Sequence, residues 1–276
     1  MHTPFDFDGK IALVCGAGTG GIGAPTAALL CDGGAKIVAV DYTRESAEAT
    51  CALIAGRGGT AIPYVADLRD RAATGGIVDF TRSNFGHLDL IVNVAGGTKR
   101  DQNGPIETTD FEAYDDIISL NLTYVFQICR DAAPLMIEGG GGAIVNIASV
   151  SGLTSAPFHA IYGAAKAGLM SLTRSMAVEW GRFGIRANAV APGSVETARA
   201  LASGIDMASR ARDWSPLGKP VQAEDIANAA AFLLSARAKS ITGQTIIVDS
   251  GISARSPIGG VDYLGLRFAG PSWNAD

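Results

Sequence analysis

Seven short runs rich in valine, isoleucine and alanine are spaced along the chain, with longer stretches of helical period between them. The runs are IALVC (11–15), KIVAV (36–40), TAIPYV (60–65), LDLIVNV (88–94), AIVNIA (143–148), IRANAV (185–190) and TIIVD (245–249). They are nearly continuous in apolar residues rather than alternating with polar ones, as strands covered on both faces must be. Amphipathic stretches lie at about 22–34, 43–56, 69–85, 110–138, 157–182 and 222–236. This alternation predicts an α/β fold, a doubly wound, seven-stranded parallel sheet with helices on both faces. No linker-like break and no internal repeat interrupts it. A single domain is expected over residues 1–276, with a core at about 7–251, a long connection at 193–219 and a tail at 252–276. The tail carries Tyr263, Phe268 and Trp273, and is expected to dock on the protein's own body or on a neighbouring subunit.

Bulk properties narrow the partners. A chain of 276 residues can bury roughly three-quarters of its unfolded surface, and so needs neither disulfides nor a structural metal. Its 22 basic and 27 acidic residues leave a net charge of −5, which argues against nucleic acid and anionic membrane as main partners. Cys15, Cys31, Cys51 and Cys129 form no C-x-x-C pair, so no metal site is expected. Buried thiols are expected at 15, 31 and 129. The opening MHTPFDFDGK does not read as a signal peptide, and the longest apolar run, Ala229 to Leu234, is far short of a membrane span. A cytoplasmic protein is expected.

Directly after the first strand comes Gly16-Ala17-Gly18-Thr19-Gly20-Gly21-Ile22-Gly23, opening a helix. Glycines there allow a tight turn and let backbone N–H groups approach a pyrophosphate resting on the helix N-terminus. The pattern G-x-G-x-x-G matches from Gly16 and again from Gly18, so the string itself is weak and its strand–turn–helix context carries the reading. A dinucleotide site of Rossmann type is expected. Asp41 ends the second strand 18 residues after Gly23, where a carboxylate can accept from both ribose hydroxyls and would repel a 2′-phosphate. Tyr42 follows in place of an arginine, which favours NAD over NADP. The competing role for Asp41 is capping the helix that starts at Thr43. Asp67, just past the third strand, could meet the adenine edge or cap a helix.

Tyr162 and Lys166 are four apart in a helical segment and share one face. A phenol has a pKa near 10, too high for a base at neutral pH. An ammonium about 4 Å away, at an effective dielectric near 20, would favour the phenolate by up to roughly 4 kcal/mol. That makes Tyr162 a candidate proton donor and acceptor. Ser149 ends the fifth strand, at the carboxyl edge where such sheets bind ligands. Asn121 lies inside a long helical segment, where a buried amide needs partners and could kink its helix around a water. Each also has a plain alternative: surface pairing for Tyr162 and Lys166, a turn cap for Ser149, a backbone bond for Asn121.

Together these residues resemble the short-chain dehydrogenase/reductase family in its single-domain branch, over about residues 7–251. Asn93-Val94-Ala95-Gly96 looks like the family's Asn-Ala-Gly stretch, and Ser149, Tyr162, Lys166 and Asn121 fall at the spacings of its active site. Ala191-Pro192-Gly193, Val195 and Thr197 look like the segment that contacts the nicotinamide end. Asp67 matches the adenine-contacting aspartate, with Leu68 beside it. The resemblance implies an NAD(H)-dependent oxidoreductase in which Tyr162 exchanges a proton with the substrate oxygen. Ser149 would hydrogen-bond that oxygen, Lys166 would hold the nicotinamide ribose and lower the Tyr162 pKa, and Asn121 would hold a relay water. The implied cofactor set is Gly16, Gly18, Gly21, Ile22, Gly23, Asp41, Asp67, Leu68, Asn93, Ala95, Gly96, Tyr162, Lys166, Pro192, Gly193, Val195 and Thr197.

Three departures stand out. The family's G-x-x-x-G-x-G, counted back from Gly21 and Gly23, starts at Ala17, which leaves Gly16 one residue early and implies one inserted residue. Cys15 stands where threonine is usual, and Ser250 where glycine is. Leu153, Phe158, Leu201, Met207 and Trp214 offer an apolar substrate wall, so a small secondary alcohol or ketone, ring-bearing or otherwise apolar, is expected. The competing readings are an NADPH-dependent 3-oxoacyl-thioester reductase and a non-catalytic NAD sensor. Small residues at Ala160, Gly163, Ala164, Ala167 and Gly168 allow close helix approach, and a homotetramer, or failing that a dimer, is expected.

Overall fold

A computed structural model describes residues 3–202, 204 and 206–254. The strands are β1 (Ile11–Cys15), β2 (Lys36–Asp41), β3 (Ala61–Val65), β4 (Leu90–Asn93), β5 (Gly142–Ile147), β6 (Ile185–Pro192), β7 (Val195–Glu196), β8 (Val221–Gln222) and β9 (Thr245–Val248). Seven of them form one parallel sheet in the order β3-β2-β1-β4-β5-β6-β9, as the apolar runs predict, and β7 and β8 pair separately. Each parallel neighbour needs a crossover, and helices supply it. They are α1 (Gly23–Asp32), α2 (Arg44–Ala55), α3 (Arg71–Gly75), α4 (Ile77–Phe85), α5 (Phe111–Ile118), α6 (Tyr124–Glu138), α7 (Ala160–Trp180), α8 (Ala198–Ala202), α9 (Met207–Trp214) and α10 (Ala223–Leu234).

Period-two alternation splits each inner strand between two cores. Ile11, Leu13 and Cys15 face one side, where Ile77, Tyr124, Ile128, Met136 and Leu169 pack from α4, α6 and α7. Ala12 and Val14 face the other, against Leu30, Ile54, Ile226 and Leu233 from α1, α2 and α10. Burial on both faces fails at the two sheet edges. The strand β3 is mostly half-buried, and β9 leaves Ile246 and Ile247 exposed. A strand read as buried by composition alone can still sit at an edge, because composition does not encode strand order.

Two predicted helices are interrupted. The stretch 69–85 breaks at the Gly75-Gly76 pair, where Gly76 ends α3 and opens α4. The stretch 110–138 contains a π-helical turn over Ser119–Thr123. Two small residues of α7 serve the chain's own packing, since a Cβ on Gly163 would come within 2.8 Å of the Ser151 carbonyl and one on Gly168 within 3.2 Å of Leu122, whereas Ala164 and Ala167 are exposed. Cys15, Cys31 and Cys129 are buried and Cys51 is half-buried, all as free thiols. The tail aromatics Tyr263, Phe268 and Trp273 lie outside the described residues.

Candidate active site

The chain leaves β1 to one side for β2 and β3, then returns to place β4 on the other side of β1. Their carboxyl ends splay apart there, which is where open α/β sheets bind ligands. A cavity of about 790 Å³ fills this crevice. Gly16, Gly18, Gly21, Ile22, Asp41, Asp67, Leu68, Ala95, Gly96 and Thr197 line it, as predicted. Thr19, Gly20, Tyr42, Ser46, Arg69, Lys99, Leu120 and Arg199 are among the wall residues outside the expected cofactor set.

The glycine loop resolves the spacing problem. Gly16 has φ +85°, and a Cβ there would lie 2.5 Å from the Ala95 nitrogen. Gly20 has φ +80° and packs on Ala198, while a Cβ on Gly23 would collide with the Gly16 carbonyl. Gly21 meets nothing within 4 Å. Gly16 therefore takes the turn position rather than standing one residue early, and Gly21 is the slack residue. Gly23 lies behind the cavity wall and seats α1 against β1.

Asp41 accepts from the Gly18 N–H at 2.8 Å and from the Tyr42 N–H at 2.9 Å. It does not cap α2; Thr43 does, accepting from the Ser46 N–H. Asp67 is already engaged. Arg69 donates to it through Nε and Nη2, the latter at 2.7 Å, and through Nη1 to Asp116 at 2.8 Å. Lys99 also pairs with Asp116, at 3.1 Å. The Arg69 hydrogen bond holds the Asp67 carboxyl below the usual carboxylate range. Asp70, not Asp67, caps the following helix.

Asn93 is turned into the sheet. It donates to Asn146 Oδ1 at 2.8 Å, and Asn146 donates to Thr173, which ties β4 and β5 to α7. Pro192, Gly193 and Val195 form the strand end and turn beneath α8, and they do not line this cavity either. Gly193 has no room for a side chain, since a Cβ would lie 2.8 Å from Asp249 Cβ. Asn93 is engaged within the sheet and Gly193 is packed on Asp249, while Pro192 and Val195 continue the same strand-end turn.

Beyond Gly96 stand the four predicted catalytic residues. Ser149 Oγ accepts from the Ser151 N–H at 3.1 Å, so it caps its turn as well as bonding to the Tyr162 phenol. Burial raises the Tyr162 pKa, opposed by the Ser149 hydrogen bond and the Arg199 charge. The expected lowering by Lys166 is absent from this arrangement. Lys166 Nζ lies 5.7 Å from the Tyr162 ring centroid and donates instead to the Ile147 carbonyl at 2.8 Å. Burial alone brings the Lys166 pKa from 10.5 to about 7.

Asn121 sits in the π-turn, an arrangement that frees backbone groups and recurs at functional sites. Its amide donates to the Ile117 and Gly97 carbonyls, and its oxygen accepts from the Gly97 N–H at 2.8 Å. These three bonds hold the Asn121 side chain to backbone. Tyr124 OH donates to the Ala95 carbonyl at 2.9 Å, so residues 95–97 are pinned from α6 and the π-turn together. A buried tyrosine beside an otherwise apolar helix face was the available signal for this. A Cβ on Gly96 would lie 2.8 Å from Asn121 Oδ1 and 2.9 Å from Lys166 Nζ, so only glycine fits between the cavity and these two groups.

The sequence profile of the family described as "Enoyl-(Acyl carrier protein) reductase" matches residues 16–253, nearly the whole sheet and site. The chain belongs to the short-chain dehydrogenase/reductase family. A 7alpha-hydroxysteroid dehydrogenase of Bacteroides fragilis is 37% identical over 257 residues, covering 91% of this chain and 97% of its own. A solved 7alpha-hydroxysteroid dehydrogenase, complexed with NADH and 7-oxo glycochenodeoxycholic acid, superposes with a TM-score of 0.84 at 32% identity, covering 89% of this chain and 95% of its own. A gluconate 5-dehydrogenase from Burkholderia cenocepacia, solved with NADP and tartrate, also gives 0.84 at 32% identity, covering 91% and 98%. The protein is accordingly a nucleotide-binding oxidoreductase of the short-chain type acting on hydroxyl or ketone groups. Among its described residues no helix is long and apolar enough to cross a membrane, and no group of three or more metal-ligating side chains occurs.

Of the expected apolar wall, Leu153, Phe158, Leu201 and Trp214 are exposed, whereas Met207 is buried at 5% exposure. Met207 opens α9 and faces inward, so it belongs to the packing of the connection. Phe158 holds φ +64°, and its carbonyl accepts from Gly104 N–H at 3.0 Å, joining the loop before α7 to the loop after β4.

Proposed function

We propose that this protein interconverts a secondary alcohol and a ketone on an apolar, ring-bearing small molecule, using NAD(H). The observation that carries the reading is the meeting of Ser149, Tyr162, Lys166 and Asn121 behind Gly96, at the inner end of a crevice with a glycine cradle. The fit to a dinucleotide rests on that cradle: Gly16 and Gly18 line the crevice at points where a Cβ would strike Ala95 or Ser46 and Asp41, and α1 points its N-terminus at it. When bound, the nicotinamide ring supplies the hydride acceptor or donor. Gly16, Gly18, Gly20 and Ile22 would hold the phosphates, Asp41 the adenosine ribose, and Leu68 and Asp67 the adenine.

In the oxidative direction Tyr162 accepts the hydroxyl proton, and in the reductive direction it returns that proton to the carbonyl oxygen. Ser149 donates to the same oxygen and steadies charge as it develops. Lys166, bound here to one carbonyl, has donors left for ribose hydroxyls. Its ammonium form, once stabilised there, would lower the Tyr162 pKa. Asn121 fixes the Gly97 backbone beside Lys166 and so shapes the proton path. NAD is favoured over NADP because Asp41 already faces Gly18 and Ser46, where a 2′-phosphate would meet its charge. The exposed Phe126 and Val178 on α6 and α7 suit self-association, and a homotetramer working in the cytoplasm completes the reading.

A reductase of 3-oxoacyl thioesters using NADPH is the second reading, supported by the 38% identity over 245 residues to a 3-oxoacyl-[acyl-carrier-protein] reductase of Staphylococcus aureus. Fluorescence titration with NADH and then NADPH separates the two. Tight binding of NADH alone supports the first, preference for NADPH supports the second, and binding of neither removes both.

A further inference from the structure

The cavity wall carries three cations and two carboxylates. Four of these charges are accounted for at the adenine end and the rim. Arg69 binds Asp67 and Asp116, Lys99 pairs with Asp116, and Asp41 accepts from two backbone N–H groups. Arg199 is different. Among the described residues no carboxylate comes within ion-pair distance of it, and its guanidinium donates to the Thr98 carbonyl.

The position of Arg199 is built rather than incidental. Thr197 Oγ1 accepts from the Ala200 N–H, and the Ala198 N–H donates to the Gly20 carbonyl at 2.9 Å, so the first turn of α8 is stapled to the glycine loop. From there the side chain spans the crevice to the loop after β4. That loop makes room for it: Gly97 has φ +116°, and a Cβ there would stand 3.0 Å from Arg199 Nη1. Gly97 is also the residue that Asn121 grips, and the Arg199 charge is felt at the Tyr162 phenol. An exposed guanidinium beside a proton-transfer site, with no carboxylate in ion-pair distance among the described residues, is matched to a planar anion that can bind through two oxygens.

We propose that Arg199 is a specificity-determining residue that binds a carboxylate carried by the substrate, while the apolar body of that substrate lies against Leu153, Phe158 and Leu201. The inference rests on the alcohol–ketone reading and narrows it to hydroxy or oxo acids. The phosphates of the dinucleotide are the rival occupant, but they have the glycine loop and the N-terminus of α1.

The probes are 4-oxocyclohexanecarboxylate and its methyl ester, titrated into the NADH-loaded protein by fluorescence and assayed for NADH oxidation. The wild type should bind the acid about ten- to a hundredfold more tightly than the ester, the range of a charge-assisted hydrogen bond. Arg199→Met should bring the two to parity, and Arg199→Lys should keep part of the difference, with the affinity for NADH itself unaltered in both. Equal binding of acid and ester by the wild type overturns the proposal. So does a preference that survives Arg199→Met, and so does a matching loss of NADH affinity, which would assign Arg199 to the cofactor phosphates. Absence of turnover with either probe would count against the oxidoreductase reading alone, because the titration reads Arg199 without turnover.

Discussion

The two ends of the crevice are built on opposite plans. At the adenine end every charge has a protein partner: Asp67, Arg69, Asp116 and Lys99 form a closed chain of ion pairs, and Asp41 is held by backbone. At the other end the groups are under-satisfied. Buried Lys166 has one carbonyl for three donors, the Tyr162 phenol is raised by burial, and exposed Arg199 has no carboxylate within ion-pair distance among the described residues. The difference teaches which end is finished before ligand arrives. On the proposed function, the first end is paired before ligand arrives and the second is completed by what it binds, which is how a site reserves its strongest interactions for the reacting groups.

The largest effect should come from the unfinished end. Tyr162→Phe should lower turnover by about a hundred- to ten-thousandfold while leaving NADH affinity within about threefold, measured by steady-state kinetics and fluorescence titration. Retained turnover would remove Tyr162 from the chemistry and with it the contrast. Next comes the hinge between the ends. Gly23→Ala forces a Cβ into the Gly16 carbonyl and should cost about 1–3 kcal/mol in urea unfolding, whereas Gly21→Ala, in open space, should stay within about 0.5 kcal/mol. Equal effects would mean that the slack residue has been misplaced.

Lys166 offers a titration test. Its folded pKa of about 7 lies below its ordinary 10.5, so between those values the unfolded chain binds more protons than the folded one. Stability contributed through this residue must therefore rise with pH across that window. Relative to Lys166→Met, the wild type should gain thermal stability from pH 7 to pH 9, and a flat difference would show that Lys166 keeps its charge when buried. The smallest effect belongs to the finished end. Arg69→Met should cost at most about 1 kcal/mol, less at high salt, because its ion pairs are partly exposed. A loss of turnover as large as that of Tyr162→Phe would show that the ends are not separable.

What the sequence disclosed follows the same division. The seven strands were legible because a doubly covered strand must be continuously apolar, and Tyr162, Lys166, Ser149 and Asn121 because their chemistry is rare in that order along such a fold. The helix breaks at Gly75-Gly76 and at Ser119–Thr123 were not, since a π-turn leaves helical periodicity almost intact on either side. The state of Asp67 was hidden too: Arg69 is a neighbour in sequence, but Asp116, which fixes it, comes from a distant helix. Arg199 went unremarked because the connection around it balances its charges on paper. The path of α8 carries the Arg199 side chain across the crevice to the Thr98 carbonyl, with no carboxylate within ion-pair distance among the described residues.

The pairing of Cys15 with Val40 on one flank and Asn93 on the other has a consequence for how the protein is made. Gly16 needs the backbone of Ala95 as its opposing wall, and those residues are separated by three strand–helix crossovers. A nascent chain that has emerged only to the end of α4 already carries the glycines, the first helix and Asp41, yet has half a crevice. Its β1 presents one unpaired edge until β4 arrives. During synthesis the most characteristic sequence in the protein is thus also an exposed seam, one that the ribosome must keep apart from other unfinished chains until residues 90–95 close it.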